Sequence, residues 1–147
     1  MWVDSARAGF SELLASDHAF PDPDPERWYT LIEDPAVLML VAEDGGEIVG
    51  FTTSGESRDA DASPNAGEIR SFFVGPAHWR RGIGRHLLAV ALDSLRDRGF
   101  TEVTLWSFAA NERANAFYEA HGFGRDAAEK TEEAWAHIPE VRYRRSL

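Results

Sequence analysis

Glycines and arginines cluster after a short apolar stretch near the middle of the chain. Residues 72–74 are apolar and predict a buried strand, which a glycine–proline pair ends. Gly82 and Gly84 then open a segment whose apolar residues recur at helical spacing. A helix N-terminus has unpaired N–H groups and a partial positive charge, so it favours an anion, and glycine lets that anion approach the backbone. The pattern predicts a pyrophosphate-binding turn, to which three side chains add positive charge: Arg80, Arg81 and Arg85.

Other phosphate-binding motifs do not fit this segment. The dinucleotide fingerprint requires a third glycine where Leu87 stands, and a P-loop requires a Gly-Lys-Ser/Thr sequence that the chain lacks. Both mismatches disfavour a flavin or nucleotide enzyme. A lone Gly-x-Gly is also compatible with a helix start that simply needs flexible residues, so the turn by itself does not decide the function.

A second set of polar residues lies further along the chain. Asn111, Asn115 and Tyr118 are spaced so that they share one face of a helix. From residue types alone, Asn111 is a helix N-cap and Tyr118 an amphipathic core tyrosine. A role in binding or catalysis needs further support.

That support comes from two segments taken in order. Residues 79–88 match the acetyl-CoA turn of the GCN5-related N-acetyltransferase (GNAT) family, Gln/Arg-x-x-Gly-x-Gly/Ala, and residues 111–123 match its Asn-x-x-Ala-x-x-Phe-Tyr-x-x-x-Gly-Phe helix. The chain resembles that family over about residues 37–147. Trp79 stands where the family usually has Gln or Arg. Since the turn holds phosphate mainly through backbone N–H groups, we expect this departure to be tolerated.

The resemblance implies an acetyl-CoA-dependent N-acetyltransferase, in which a primary amine attacks the thioester directly in a ternary complex. It implies that the strand before the turn bends away from its neighbour, so that its backbone pairs with the pantetheine arm of the coenzyme. It also implies that Tyr118 protonates the departing thiolate. The cofactor-binding residues carried over are Phe72, Phe73, Val74, Arg80, Arg81, Gly82, Ile83, Gly84, Arg85 and Asn111.

Glu68 is the candidate general base, because several members of the family have a glutamate at this place in the strand. The alternative is a structural pair with Arg70, two residues along on the same strand face. Glu102 and Glu140, on neighbouring strands, are weaker candidates.

The acetyl acceptor is expected to be a small-molecule amine or a peptide amine. Phe20 and Trp28 flank the loop that borders the acceptor site in the family, so they are candidates for an acceptor pocket. A second hypothesis is a non-catalytic acyl-CoA-binding or sensing module of the same fold. The presence of Tyr118 speaks against it.

Composition limits the remaining function classes. The 147 residues suit a single domain, 1–147, and the net charge of −10 argues against a nucleic-acid partner. Without cysteine there is no disulfide or thiolate metal site, and the five histidines show no ligand spacing, so no metal is expected. No stretch is long and apolar enough to predict a membrane span or a signal peptide, and a cytoplasmic location is expected.

The pattern of elements predicts an α/β fold with a GNAT-like mixed central sheet flanked by helices. An apolar helical face near the N-terminus includes Trp2, Phe10 and Leu14, and a short helix capped by Asp24 follows. The family's first strand has no room in this sequence. We therefore expect an exposed sheet edge beside residues 36–43. Either a homodimer covers this edge, or the protein gains stability when residues upstream of Met1 are restored. Strands are predicted at 36–43, 47–56, 67–74, 101–107, 123–129 and 140–146, and later helices at 82–98 and 111–121. The strand at 36–43 is almost continuously apolar, so it is expected to be buried.

Overall fold

The computed structural model describes residues 24–147. The predicted N-terminal helix, Phe20 and the expected absence of a first strand all concern residues outside this range. The helices are α1 (Pro25–Glu33), α2 (Ile83–Asp97) and α3 (Glu112–Ala120), with short 3-10 helices at Pro76–His78 and Glu133–Trp135. The strands are β1 (Leu38–Asp44), β2 (Glu47–Glu56), β3 (Ala66–Val74), β4 (Glu102–Phe108), β5 (Gly124–Lys130) and β6 (Glu140–Ser146).

The six strands form one mixed sheet in the order β1-β2-β3-β4-β6-β5. Only β3 and β4 run parallel, and every other neighbouring pair is antiparallel. The predicted mixed α/β fold is therefore confirmed, with each element of this region within two residues of its expected bounds. Within residues 24–147, no helix is long and apolar enough to cross a membrane.

The start of α1 follows from local chemistry. The side chain of Asp24 accepts a hydrogen bond of 3.0 Å from the backbone N–H of Glu26. Pro25 occupies the first helical position, where its missing N–H costs nothing. The predicted cap is confirmed. On this helix Trp28 packs edge-on against Phe51 of β2, with ring centroids 5.3 Å apart.

Strand β1 differs from the prediction of a buried strand. Its apolar run suggested burial on both faces, yet Val41 is 53% exposed. Among the strands of residues 24–147, β1 pairs with β2 alone and so lies at the sheet edge. A continuous apolar run does not report what packs over each face of its strand, and the prediction of burial was wrong for this residue.

One face of the sheet packs on α2 and α3 and forms the core. Helix α2 buries its leucine stripe there, as its helical spacing predicts. The strands add alternating residues that point to the same side. The core consists of Ile69, Leu88, Leu92, Leu95, Val103, Leu105, Tyr118, Phe123, Val141 and Tyr143.

Arg142 of β6 ties the loop between β2 and β3 to the sheet. Its guanidinium donates to Asp61 at 2.6 and 2.8 Å, to Asp59 at 3.1 Å and to Asp126 at 2.8 Å. Asp59 also accepts a bond of 2.9 Å from the Trp106 indole. Because Arg142 is only 5% exposed, these charge-assisted bonds compensate for its burial.

Candidate active site

The two parallel strands at the centre of the sheet separate partway along their length. Their pairing runs from Ala66 opposite Glu102 only as far as Ile69 opposite Leu105, although both strands continue. A bulge at Arg70 shifts the register of β3 against β2 at this point, and a bulge bends the strand that carries it. The divergence implied by the family resemblance is confirmed.

A cavity of about 480 Å³ lies beside this opening, a size typical of ligand-binding pockets. It is bounded by the end of β3, the turn before α2 and the first two turns of α3. Nine of the twelve predicted site residues line it: Phe72, Phe73, Val74, Arg80, Gly82, Gly84, Arg85, Asn111 and Tyr118.

Three predicted site residues do not line the cavity: Glu68, Arg81 and Ile83. The guanidinium of Arg81 lies 3.0 Å from the carboxylate of Asp44 and donates to Nδ1 of His78 at 3.0 Å. Its charge is therefore directed to the β1–β2 hairpin. Helical spacing could not distinguish it from its two neighbouring arginines.

The turn before α2 leaves hydrogen-bond donors available. Gly82 has a φ of 83°, a left-handed conformation that glycine adopts without strain, and Arg80 has a φ of 60°. No side chain caps the first N–H groups of α2. Within residues 24–147, no carboxylate pairs with Arg80 or Arg85. The turn therefore combines unpaired N–H groups with two guanidinium groups.

Sequence reasoning missed five lining residues: His78, Trp79, Arg113, Ala114 and Phe117. Trp79 donates its indole N–H to the carbonyl of Val74 at 2.7 Å. The guanidinium of Arg113 lies over the Trp79 ring, 3.8 Å from its centroid. The unusual tryptophan in the turn motif was the available signal, but its partner on α3 could not be inferred from spacing.

Tyr118 lies between the core and the cavity. Its ring contacts those of Phe72, Phe117, Phe123 and Tyr143 with centroids 5.6 to 6.4 Å apart. Burial raises the pKa of its hydroxyl well above the usual value, because the phenolate form is poorly solvated there. Within residues 24–147, no group forms a hydrogen bond with this hydroxyl, and the raised pKa means that it is protonated near neutral pH.

The two asparagines of α3 have different surroundings. Asn111 caps the helix by accepting from the N–H of Ala114 at 3.2 Å, as expected, and it also lines the cavity. Asn115 donates to the carbonyls of Phe108 and Ala109 at 3.2 and 3.1 Å. It thereby fixes the end of β4 against α3 and does not line the cavity.

Glu68 is 3% exposed and paired with Arg58. It accepts from the Arg58 side chain at 2.7 and 3.0 Å and from its backbone N–H at 3.0 Å. Burial alone would raise the pKa of Glu68, but these hydrogen bonds outweigh it and the net pKa is lowered. The alternative of a structural pair with Arg70 is wrong in its partner, since Arg70 donates to the carbonyl of Glu56 at 2.9 Å.

The weaker candidate carboxylates also have distinct environments. Glu102 accepts from Ser63 and Arg144, both at 2.6 Å, and these bonds lower its pKa. Glu140 is 8% exposed, and burial raises its pKa. Neither of them lines the cavity. Within residues 24–147, no group of three histidine or acidic side chains is arranged to hold a metal ion.

Comparison with known proteins agrees with this geometry. Residues 7–123 match the model of the acetyltransferase (GNAT) family. A mycothiol acetyltransferase of Beutenbergia cavernae is 40% identical over 98 residues, covering 67% of this chain, which spans only 30% of that relative. A ribosomal-protein-alanine N-acetyltransferase from Brucella melitensis superposes with a TM-score of 0.77 at 21% identity, covering 99% of this chain and 91% of that one. The PaiA N-acetyltransferase from Thermoplasma acidophilum, in complex with coenzyme A, gives a TM-score of 0.73 at 16% identity, covering 98% of this chain and 87% of that one. The chain therefore belongs to the acetyltransferase (GNAT) family.

Proposed function

We propose that this protein is an acetyl-CoA-dependent N-acetyltransferase that transfers the acetyl group to a primary amine by direct attack in a ternary complex. One observation carries the proposal. A single cavity at the divergence of β3 and β4 joins the glycine turn at 82–84 to the hydroxyl-bearing ring of Tyr118. The turn suits an anionic coenzyme, and the tyrosine suits a leaving group that needs a proton.

Acetyl-CoA has a pyrophosphate that matches the donors of the turn. The N-terminal N–H groups of α2 and the guanidinium groups of Arg80 and Arg85 would bind its oxygens. The pantetheine arm would follow the backbone of residues 72–74, which lies beyond the last β3–β4 pair. The acetyl group would then lie near Tyr118.

The reaction needs one bond formed and one broken. The amine nitrogen attacks the thioester carbonyl, the C–S bond breaks, and the amine gives one proton to water, for which Glu68 is the predicted general base. Tyr118 donates its proton to the departing thiolate and regains one afterwards. The raised pKa of Tyr118 keeps the hydroxyl protonated across the range in which an amine is a nucleophile.

The assignment of Glu68 as general base stays a prediction. If it acts through water, Glu68→Gln lowers the rate by about 10²-fold near neutral pH, and the loss shrinks as pH rises and free amine becomes abundant. Because the folded-state pKa of Glu68 is lowered, its ionised form is present throughout this pH range. The measurement is a pH–rate profile together with a melting curve. A variant that melts earlier but transfers at the wild-type rate leaves Glu68 as a structural partner of Arg58.

The acceptor class is tested by incubating the protein with acetyl-CoA and a panel of small amines and peptides with free N-termini. We expect release of CoA, followed with a thiol reagent, and an acetylated product seen by mass spectrometry. The protein contributes no background because it has no cysteine. Tight binding of acetyl-CoA without transfer to any amine would instead establish the sensing module.

The remaining expectations belong to the same proposal. We infer one domain, 1–147, working in the cytoplasm on a small-molecule or peptide amine, without nucleic acid, membrane or metal. The acidic net charge and the absence of cysteine support this inference. The homodimer also stays a prediction. It is supported by the edge position of β1 among the described strands.

A further inference from the structure

The rim of the cavity carries a guanidinium stacked on an indole. Arg113, in the first turn of α3, places its guanidinium carbon 3.8 Å from the centroid of the Trp79 ring. This is well inside the distance over which a cation is attracted to an aromatic face. Both side chains line the cavity, so the contact joins two elements that bound it.

The indole is itself held in place. Its N–H donates to the carbonyl of Val74, the last residue of β3, at 2.7 Å. Rotating Trp79 away from the cavity would break this bond. A guanidinium whose carbon lies over a ring still has N–H groups at its edge that can bind an anion. Trp79 is therefore a rigid support for Arg113.

The charge of Arg113 is not engaged by an acidic side chain of the described region. Within residues 24–147, no carboxylate forms an ion pair with it. Arg80 and Arg85 line the same cavity and likewise form no ion pair with a carboxylate of residues 24–147, whereas Arg81 pairs with Asp44. A chain of net charge −10 thus gathers three unpaired guanidinium groups around one cavity. Such an arrangement favours a multiply charged anion.

We propose that Arg113 binds the pyrophosphate of acetyl-CoA and that Trp79 is the positioning residue that holds it there. The inference rests on the proposed function. Trp79 occupies the place where the turn motif usually has Gln or Arg, so the turn itself lacks a polar side chain at that position. The contact with Trp79 instead places the guanidinium of Arg113, from α3, beside the turn. The pyrophosphate, and not the 3′-phosphate, is assigned because Trp79 belongs to the turn that precedes the N-terminus of α2.

The test measures affinity by calorimetry for acetyl-CoA and for 3′-dephospho-CoA, which keeps the pyrophosphate. Arg113→Gln is expected to lower the affinity for both ligands by about 10- to 100-fold, which is the usual contribution of a charge-assisted hydrogen bond. Arg113→Lys should recover part of the loss, because it restores the charge without the planar fork. Arg98→Gln removes an exposed arginine beyond the far end of α2 and should change neither affinity.

Trp79 is tested through its effect on Arg113. Trp79→Leu should lower the affinity for both ligands. Adding Arg113→Gln to the Trp79→Leu variant should lower the affinity much less than Arg113→Gln does in the wild type, since the two residues act as one unit. The affinity of the wild type should also fall more steeply with salt than that of Arg113→Gln, because screening acts on the charge. If Trp79→Leu does not fold, the Gln and Lys variants of Arg113 still test whether Arg113 binds the pyrophosphate.

Three outcomes overturn the inference. Arg113→Gln that melts earlier but binds normally makes the stack a structural contact only. A loss that disappears with 3′-dephospho-CoA assigns Arg113 to the 3′-phosphate. Full additivity of Trp79→Leu and Arg113→Gln removes the positioning role. In each case the wild type still binds acetyl-CoA, whereas failure of the wild type to bind it would overturn the proposed function as well.

Discussion

Replacing Tyr118 with phenylalanine is expected to slow acetyl transfer by about 10²–10⁴-fold while leaving acetyl-CoA affinity nearly unchanged. The substitution keeps the ring and its contacts with Phe72, Phe117, Phe123 and Tyr143 and removes only the hydroxyl. Steady-state rates with a good acceptor, together with calorimetric binding, measure the two effects separately. The deficit should narrow above about pH 8.5, where a free thiolate no longer needs a proton donor.

Tyr143→Phe is the matched control. Tyr143 is also buried in the core, and its hydroxyl donates to Glu119 at 3.0 Å, away from the cavity. We expect this variant to lose stability, by about 1–2 kcal/mol, and to keep its turnover. If Tyr118→Phe instead behaves like Tyr143→Phe, with normal turnover across the pH range, Tyr118 is a core residue and the catalytic assignment is wrong.

Gly84→Val is expected to weaken acetyl-CoA binding by about 100-fold or more while the fold persists. A Cβ at this position would stand 3.6 Å from Phe117 and 3.8 Å from Phe72, both of which line the cavity. One methyl group therefore makes ordinary contacts, but the two further methyl groups of valine have to occupy space beside the phosphate-binding turn. Calorimetry measures the loss, and circular dichroism checks that the variant is folded.

Gly84→Ala serves as the size control. Its single methyl group fits without displacing a neighbour, and alanine is more favourable than glycine in a helix. We expect a folded protein whose affinity is reduced only a few-fold. Unchanged affinity in a folded Gly84→Val variant would show that the phosphate does not approach α2 here.

Local patterns in the sequence were sufficient for the order and type of the elements between residues 24 and 147. Helical spacing, the Asp24 and Asn111 caps, and the glycine that opens α2 each depend on a few neighbouring residues, and all are present in the structure. The two matched segments, together with the strand at 72–74, likewise identified nine of the fourteen residues around the cavity. Each segment is nearly continuous in sequence, so its members stay together when the chain folds.

The burial of strands and the partners of charged side chains could not be predicted from local patterns in the sequence. The apolar run of β1 suggested a strand covered on both faces, yet Val41 is 53% exposed, because exposure depends on what packs over each face of the sheet. The alternative to a catalytic Glu68 was a pair with Arg70, but the β2–β3 loop places Arg58 against its carboxylate. Similarly, Arg81 pairs with Asp44 of the hairpin, so that only Arg80 and Arg85 of the three arginines in the turn motif line the cavity.

The sequence by itself determined a helix that begins with a glycine turn, the tyrosine on a later helix, and the family motifs that connect them. Only the tertiary structure decided that β3 and β4 separate after Ile69, that Tyr118 faces the resulting cavity, and that Arg113 stacks on Trp79. The reason is physical. Periodicity and capping act over one or two turns of chain, whereas cavities, ion pairs and ring contacts join residues that become neighbours only when the sheet forms and the helices pack against it.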